Sequence, residues 1–512
     1  MIRKYSFWLL VLVLISLIFR LVFIWRHSAP ITYDQGRDLL DIRRTVIYKR
    51  PPLIGPTTSL HGLFYGPFWY YLILPFYILT GGHPLSSLGP LILFSVLLPF
   101  FFLKILDDKE IATVFVLTYS FSWPFFINTT IALNTNPMVY IVPVIILCLS
   151  RYMNCGRKLW LALSLFLLAS GFHFNFVIAA SLVPAVLLLF LINGKIKSIW
   201  IHRSFLPFFL LPFIPQLIFD LRHDFIQTKS IIPLIEGKTG SLSISQMSPK
   251  ARFLSRFPIW YNIFLDSAGR SKLLAYIFLF LIAWIVLNSY LKNKPKNKEV
   301  FSLFLTSLVL LAVVLFCLNM APFEIWPWYL NAVSAMMVTL IGVSLAVLYK
   351  KGRFSKVLSI ILLFYWLGFS IRQYWPFPLE KTLSSDPANL RNRIQVIDRI
   401  YQNAAGKGFN VYTFAPYVYD YPYQYLIWWR AKNKYGYVPE EYVYLSGKPI
   451  YVAGKKEADA LLPVKKSEFV YLIIEPYESQ KNWFIEWRNN FSAAVEEWEI
   501  GATRIEKLGE KI

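Results

Sequence analysis

Apolar residues in this chain come in blocks about as long as a bilayer is thick, separated by short polar or basic connections. The first block, SFWLLVLVLISLIFRLVFIW, carries one charge, Arg20, after Lys4. About 20 apolar residues in helical form match a hydrocarbon core of roughly 30 Å. The pattern predicts spans at 5–25, 86–106, 110–127, 135–150, 158–172, 176–192, 204–219, 271–290, 300–320, 328–348 and 357–375, about eleven in all. The stretch 64–80 is apolar too, but Pro75, its aromatics and its Gly66-Pro67 start suit an interfacial or re-entrant helix. The first block exceeds a signal-peptide core and ends in FIWRH with no small-residue cleavage site, so it reads as a retained span.

After Trp375 the pattern changes. A linker leads to a predicted helix in which Asp386 is the N-cap, Pro387 takes the first helical position, and Leu390, Ile394, Ile397 and Ile400 share one face before Gly406 ends it. FNVYTF (409–414) and FVYLIIEP (469–476) read as buried strands, and 495–507 as another. The expected fold is an α-helical polytopic membrane bundle, residues 1–375, followed by a small extracytoplasmic α/β domain, residues 376–512.

Composition agrees. Of 512 residues, 56% are hydrophobic, more than one soluble core could hide. The net charge of +23 would suggest nucleic acid in a soluble protein, but here the cations sit between apolar blocks, which points to topology and anionic lipid. Arg151, Arg157 and Lys158 form one basic loop and Lys195, Lys197 and Arg203 another. Lys292 to Lys298 and Lys350 to Lys356 make two more. They alternate with NTTIALNTNP, GFHFN, the long 220–270 segment and APFEIWPW. The positive-inside rule places the basic loops in the cytoplasm, with the N-terminus inside, residues 26–63 outside, 104–110 inside and the C-terminus outside. One crossing then fits between 63 and 104, so 64–80 should not cross. The first outer loop nevertheless carries Arg26, Arg37, Arg43, Arg44, Lys49 and Arg50. Cations outside break the rule unless they have a job. Three cysteines make neither a disulfide framework nor a metal-ligand spacing, and no glycine-rich nucleotide motif or P-loop occurs.

Candidate chemistry concentrates in that first outer loop. Asp34, Gly36, Arg37 and Asp38 follow the first span closely. A carboxylate at the membrane surface can take a proton from a hydroxyl or amine, and arginines beside it can hold a phosphate in their bidentate fork. The same residues also read as a solvated amphipathic helix with Asp/Arg pairs at i, i+3. His61 is open between ligand, acid/base and plain loop histidine. Asp220, Arg222, His223 and Asp224 cluster where a span ends, either as functional groups or as helix-end snorkels. Tyr65, Asn136, His173, Glu324 and Tyr329 lie at neighbouring span ends and join the candidate substrate cavity.

Asp-x-Gly-Arg-Asp after the first span, followed by LIGPTTS and HGLFYGPFWYYLILPFYILTGGHP, resembles the GT-C superfamily of membrane glycosyltransferases, closest to the family-39 branch of protein O-mannosyltransferases and aminoarabinose transferases. LNTNPMVYIVP, GFHFN and FDLRHDF resemble later motifs of the same group, over residues 1 to about 375. The resemblance implies an inverting, single-displacement transfer from a polyprenyl-phosphate-linked sugar to a glycan, lipid or protein acceptor outside the membrane. It implies Asp34 as general base, with Asp38 as a second carboxylate because Gln35 stands where the group often has Glu. Arg37, Arg222 and His223 become the donor-phosphate contacts. No nucleotide cofactor is expected, and strict metal dependence is in doubt. A transporter or flippase of an anionic or lipid-linked substrate is the main rival, and a silent sensor or assembly protein a third reading. The rival predicts internal repeats, and no clear repeat is visible.

Overall fold

The computed structural model describes residues 2–27, 29–58, 62–197, 206–235, 247–291, 297–375, 386–416 and 419–509. Among the described residues the main helices before the C-terminal region are α1 Ile2–His27, α2 Tyr33–Tyr48, α3 Phe68–Leu79, α4 Gly89–Ile105, α5 Lys109–Phe121, α6 Trp123–Thr130, α7 Pro137–Cys155, α8 Lys158–Gly171, α9 Phe176–Ile192, α10 Ile214–Arg222, α11 Ile226–Ile235, α12 Pro249–Ser267, α13 Lys272–Leu291, α14 Lys298–Met320, α15 Asn331–Tyr349 and α16 Arg353–Arg372. Among the described residues seven helices are long and apolar enough to cross a membrane, or eight if the bent pair α5–α6 is one span. The membrane bundle expected from the hydrophobic pattern is therefore present.

Two expected spans are not continuous. Residues 110–127 are broken at Ser122 and bent by 45°, because Pro124 opens a new helix instead of continuing the old one. Within 204–219 the described residues form a helical turn Leu206–Leu210, a 3₁₀ turn Leu211–Phe213 and then α10. Pro212 and Pro215 sit at those junctions and remove the amide donors a single helix needs. The stretch expected to lie at the interface forms α3, whose 12 residues rise about 18 Å, well short of a bilayer core.

The chain divides into two compact units: Met1–Leu21, Leu53–Tyr71 and Pro90–Pro376 form one, and Val22–Pro52, Leu72–Gly89 and Phe377–Ile512 the other. In the first unit, Arg20 is buried in the bundle. It donates to the Ser120 carbonyl at 2.9 Å, the Ser16 carbonyl at 3.1 Å, the Tyr119 carbonyl at 3.4 Å and Thr129 Oγ1 at 3.3 Å. Tyr119 and Ser120 end the helix before the Ser122 break, so the guanidinium serves carbonyls that the break leaves without amide partners. Arg20 faces the bundle, where a lipid-facing charge would have been costly.

The ends of these helices sort into two edges. At one, Arg151 pairs with Asp107 and Glu299 at 2.7 Å each, Lys350 bridges Asp108 and Glu110, Lys356 also meets Glu110, and Lys195 donates to the Met153 carbonyl. Segments 104–110, 151–158, 195–197, 297–299 and 350–356 thus share an edge, as the alternation of loop charge requires. The other ends of α7, α14 and α15 carry Asn136, Met320 and Asn331.

The second unit holds the sheet. Its elements in chain order are α17 Leu390–Ala404, β1 Gly408–Phe414, α18 Tyr421–Arg430, β2 Glu441–Val443, β3 Ser467–Ile474, α19 Lys481–Arg488, β4 Ala494–Ile500 and β5 Thr503–Leu508. Strand order is β2-β1-β3-β5-β4, with the first three parallel and the last two antiparallel. β1 lies between β2 and β3 and is buried along its whole length, as an apolar run in a parallel sheet should be. Tyr412, Phe414, Leu472, Ile474, Phe484, Trp487 and Leu508 form the core on one side. Two details differ from expectation. α17 begins at Leu390 with Asn389 as its cap, while Asp386 caps only the preceding turn through the Ala388 amide. The single strand expected over 495–507 is a hairpin, β4–β5, turned at Gly501 (φ +60°).

Candidate functional site

In the second unit α2 presents the acidic residues. Thr32 caps it by accepting from the Gln35 amide at 3.2 Å, which sets Asp34 in the first turn, where the helix dipole favours an anion. Spacing of i, i+3 and i+4 puts Asp34, Arg37 and Asp38 on one face. Arg37 Nη1 lies 2.8 Å from Asp34, while its Nε and Nη2 reach Asp38 Oδ1 at 3.1 and 2.9 Å. One guanidinium therefore holds both carboxylates. The Asp38 side chain is 2% exposed and that of Asp34 37%, so Asp34 is the acid that a solvent-borne or membrane-borne group can reach. Gln35 turns inward and donates to Ser87 Oγ at 2.7 Å. Ser87 Oγ itself donates to the Pro84 carbonyl, so an amide donor fits here where a carboxylate would meet an oxygen with its proton already used.

The opposite side of α2 packs on α18. A Cβ on Gly36 would lie 2.5 Å from the Pro422 nitrogen, so only glycine allows that approach. Arg43 is buried with its guanidinium 4.8 Å from the Trp428 ring centroid. Two cations of the segment after α1, Arg37 and Arg43, thus have inward-facing jobs.

In the first unit the predicted motifs meet at the helix ends away from the basic loops. Gly55 donates to the Tyr65 carbonyl, Tyr65 to the Pro56 carbonyl, and Thr57 bridges Phe64, so 55–58 and 62–66 pair as two antiparallel limbs with buried Tyr65 in the second. His61 lies outside the described residues. Gln227 Oε1 accepts from the Phe64 amide and Gln216 Nε2 donates to the Phe64 carbonyl, tying the second limb to α10 and α11. His173 is 0% exposed and stacks on Phe68 with centroids 3.9 Å apart. Burial pushes its pKa down to about 4, against a weak opposing pull from the Pro212 carbonyl, so the imidazole is neutral at physiological pH.

The acidic-Leu-Arg-His segment divides its tasks. Asp220 is buried and accepts from the Gln227 amide at 2.8 Å, the Thr228 amide at 3.1 Å and Thr228 Oγ1 at 2.6 Å. It is the cap of α11. His223 stacks on Phe219 and its Nδ1 lies 2.7 Å from the Phe219 carbonyl. Asp224 and Phe225 adopt left-handed backbone (φ +52° and +58°) to turn the corner. Arg222 is exposed.

Asn136 holds the Asn128 and Ile131 carbonyls and accepts from Asn331. Asn134 donates to the Phe174 carbonyl, and Asn175 to that of Tyr329. This amide collar binds α6, α7, α9 and α15 together. Glu324 is exposed on the segment that Arg256 secures. Arg256 reads along the chain as one of the cations of the long 220–270 segment, open to an anionic headgroup, yet its guanidinium takes the carbonyls of Leu318, Asn319, Ala321 and Phe323 and so caps α14. Among the described residues no group of three or more His, Cys, Asp or Glu side chains converges as a metal site.

No protein-family model and no curated protein matches the sequence. Solved structures do. The crystal structure of ArnT from Cupriavidus metallidurans bound to undecaprenyl phosphate aligns over 98% of this chain and 98% of its own, with a TM-score of 0.58 and 10% identity. The apo state of the same protein aligns over the same shares at 0.54 and 10%. The fold similarity thus runs through the C-terminal region, beyond the point near residue 375 where motif resemblance stopped.

Proposed function

We propose that this chain, which has the GT-C fold, is an inverting glycosyltransferase that moves a sugar from a polyprenyl-phosphate donor to an acceptor on the outer face of the membrane. The observation that carries the proposal is the fork at the start of α2: Arg37 fixes an accessible Asp34 and a buried Asp38 on one face. Undecaprenyl phosphate in the ArnT structure supports the donor class.

In this reading Asp34 takes the proton of the acceptor hydroxyl or amine as its lone pair attacks the anomeric carbon. The bond to the lipid phosphate breaks on the opposite side, inverting the centre, and the phosphate leaves with the electron pair. Arg222 and His223 are assigned to that developing charge. Arg37 and Asp38 position the base. The membrane supplies the donor, which removes the need for a nucleotide-binding motif. The alternation of loop charge supports an extracytoplasmic position for Asp34 and the C-terminal domain.

The test is Asp34→Asn in proteoliposomes with a polyprenyl-phosphate-linked sugar. Transfer should fall about 10²–10⁴-fold, the usual contribution of a general base, while insertion and melting temperature stay unchanged. Transfer at the normal rate removes Asp34 from the mechanism.

A further inference from the structure

The C-terminal domain contains an open cleft of about 670 Å³ at the C-terminal ends of β1 and β2, where ligands of open α/β sheets bind. Its size falls within the range of about 300–1,000 Å³ for small-molecule sites. One wall is a face of α19 and the turn after it: Trp483, Glu486 and Asn490, spaced i, i+3 and i+7. The other wall is the chain after β2, with Tyr444 and Tyr451. The floor is fixed. Trp487 Nε1 donates to the Tyr444 carbonyl at 2.8 Å, and the Tyr451 hydroxyl accepts from the Tyr444 amide at 2.9 Å while donating to the buried Asp420. Trp483 is 60% exposed, so its ring is open to a ligand in the cleft.

Flat aromatic faces beside Glu, Asn and Gln480 suit a ligand with apolar C–H faces and vicinal hydroxyls, which is the chemistry of a saccharide ring. One lysine, Lys448, and one glutamate leave the lining close to neutral, a poor match for a phosphate or a polyanion. The cleft also continues into a row of neighbouring rings. Tyr451 and Tyr419 are 4.8 Å apart, Tyr419 and Tyr421 5.3 Å, and Tyr421 and Tyr33 5.0 Å. Each of the four is only partly buried. Tyr33 is the residue before Asp34, and the whole row lies within one compact unit.

We propose that this cleft binds a short oligosaccharide, and that the tyrosine row leads its end to Asp34, making the acceptor a glycan. The word acceptor rests on the glycosyl-transfer reading; the binding site does not.

The experiment is isothermal titration of the full chain in lipid nanodiscs with maltotriose, chitotriose and α-1,6-mannotriose. At least one should bind saturably. Trp483→Ala should weaken it tenfold or more, and Trp483→Phe should restore most of the loss. Asp34→Asn should leave binding intact while lowering transfer, which separates the two proposals. No binding by any trisaccharide overturns the inference, as does binding unaffected by both Trp483→Ala and Asn490→Ala. Uptake of octanoate in place of every sugar overturns it as well.

Discussion

Gly66 lies directly beneath the imidazole of His173: a Cβ at Gly66 would come within 1.9 Å of Nδ1 and 2.4 Å of Cε1. The ring cannot step aside, because it is buried and stacked on Phe68, with Phe213 6.2 Å away. The turn that leads the chain into α3 therefore depends on a residue without a side chain. Gly66→Ala should destabilise the protein by about 1–3 kcal/mol, the range for overpacking a tight site. His173→Ala removes the obstacle, so the double variant should be more stable than the two separate losses added together. Melting temperatures of the four proteins in detergent check this, and strict additivity would break the link.

Asp34 and Asp38 share one guanidinium but differ in exposure, and that difference predicts unequal variants. Asp38→Asn keeps an oxygen for Arg37 and should lower kcat/KM only modestly. Asp34→Asn removes the proton acceptor and should lower transfer about 10²–10⁴-fold. Arg37→Lys supplies a point charge in place of a planar fork and cannot hold both carboxylates. It should lower kcat more than it raises KM for the donor. If Asp38→Asn proves the more damaging of the two, the roles are reversed.

The break between α5 and α6 depends on Arg20. Replacing it with leucine strands the Tyr119 carbonyl in an apolar interior and leaves that of Ser120 to the Ser16 hydroxyl alone, at a cost of about 1–3 kcal/mol for an unsatisfied group. Arg20→Leu should therefore lower the melting temperature and the yield of folded protein. Arg20→Lys, with fewer donors, should fall between. A melting temperature unchanged by Arg20→Leu would mean that the carbonyls find other donors.

These three sites differ in how visible they were along the chain. The spans were legible because a bilayer imposes a length, and Asp34 because charged residues beside a span stand out. Pro212 and Pro215 were equally visible, but apolar composition masked their power to break residues 204–219. Asp386 and Asn389 are both good caps, and only packing selects Asn389. Gly501 marked the hairpin within 494–508, but the alternation around it passed for one strand. Arg256 offered no signal of its capping role, since its partners are main-chain carbonyls some sixty residues away and carbonyls leave no trace in residue identity. Trp483, Glu486 and Asn490 carried a helical period, though on a short helix not expected between the strands.

Asp398 joins α17 to α18. Its oxygens accept from Arg430 Nε at 2.9 Å and Nη2 at 2.6 Å, Lys434 Nζ at 2.9 Å and the Tyr435 hydroxyl at 3.0 Å. Burial pushes its pKa up, but these donors outweigh it and leave the carboxyl below its ordinary value. A folded-state pKa below the unfolded one means that the unfolded chain binds more protons. The stability is then fully present above the ordinary carboxylate range and is lost as pH falls through the lower folded value. Amide exchange in Leu390–Ala404 should therefore accelerate in acid, and Asp398→Asn should bring faster exchange at neutral pH with a weaker acid dependence. Identical acid profiles for the two proteins would remove Asp398 from the transition.

The orientation of the bundle can be read with a thiol the protein already has. Cys155 is exposed just after Arg151, at the edge where Asp107, Glu299, Lys350 and Lys195 also gather. Cys148 is buried and Cys317 half-buried, so Cys155 should react first with a bulky, membrane-impermeant maleimide. Its neighbours Arg157 and Lys158 belong to a basic loop, and basic loops stay on the cytoplasmic side. In intact cells Cys155 should resist the reagent, and it should react once the membrane is permeabilised. A cysteine introduced at exposed Glu324, which follows α14 at the other helix ends, should show the reverse in a Cys155→Ser background. Labelling of Cys155 in sealed cells would place the basic edge outside and move the proposed chemistry to the cytosol, where a lipid-linked donor loses its rationale and nucleotide-sugar donors compete.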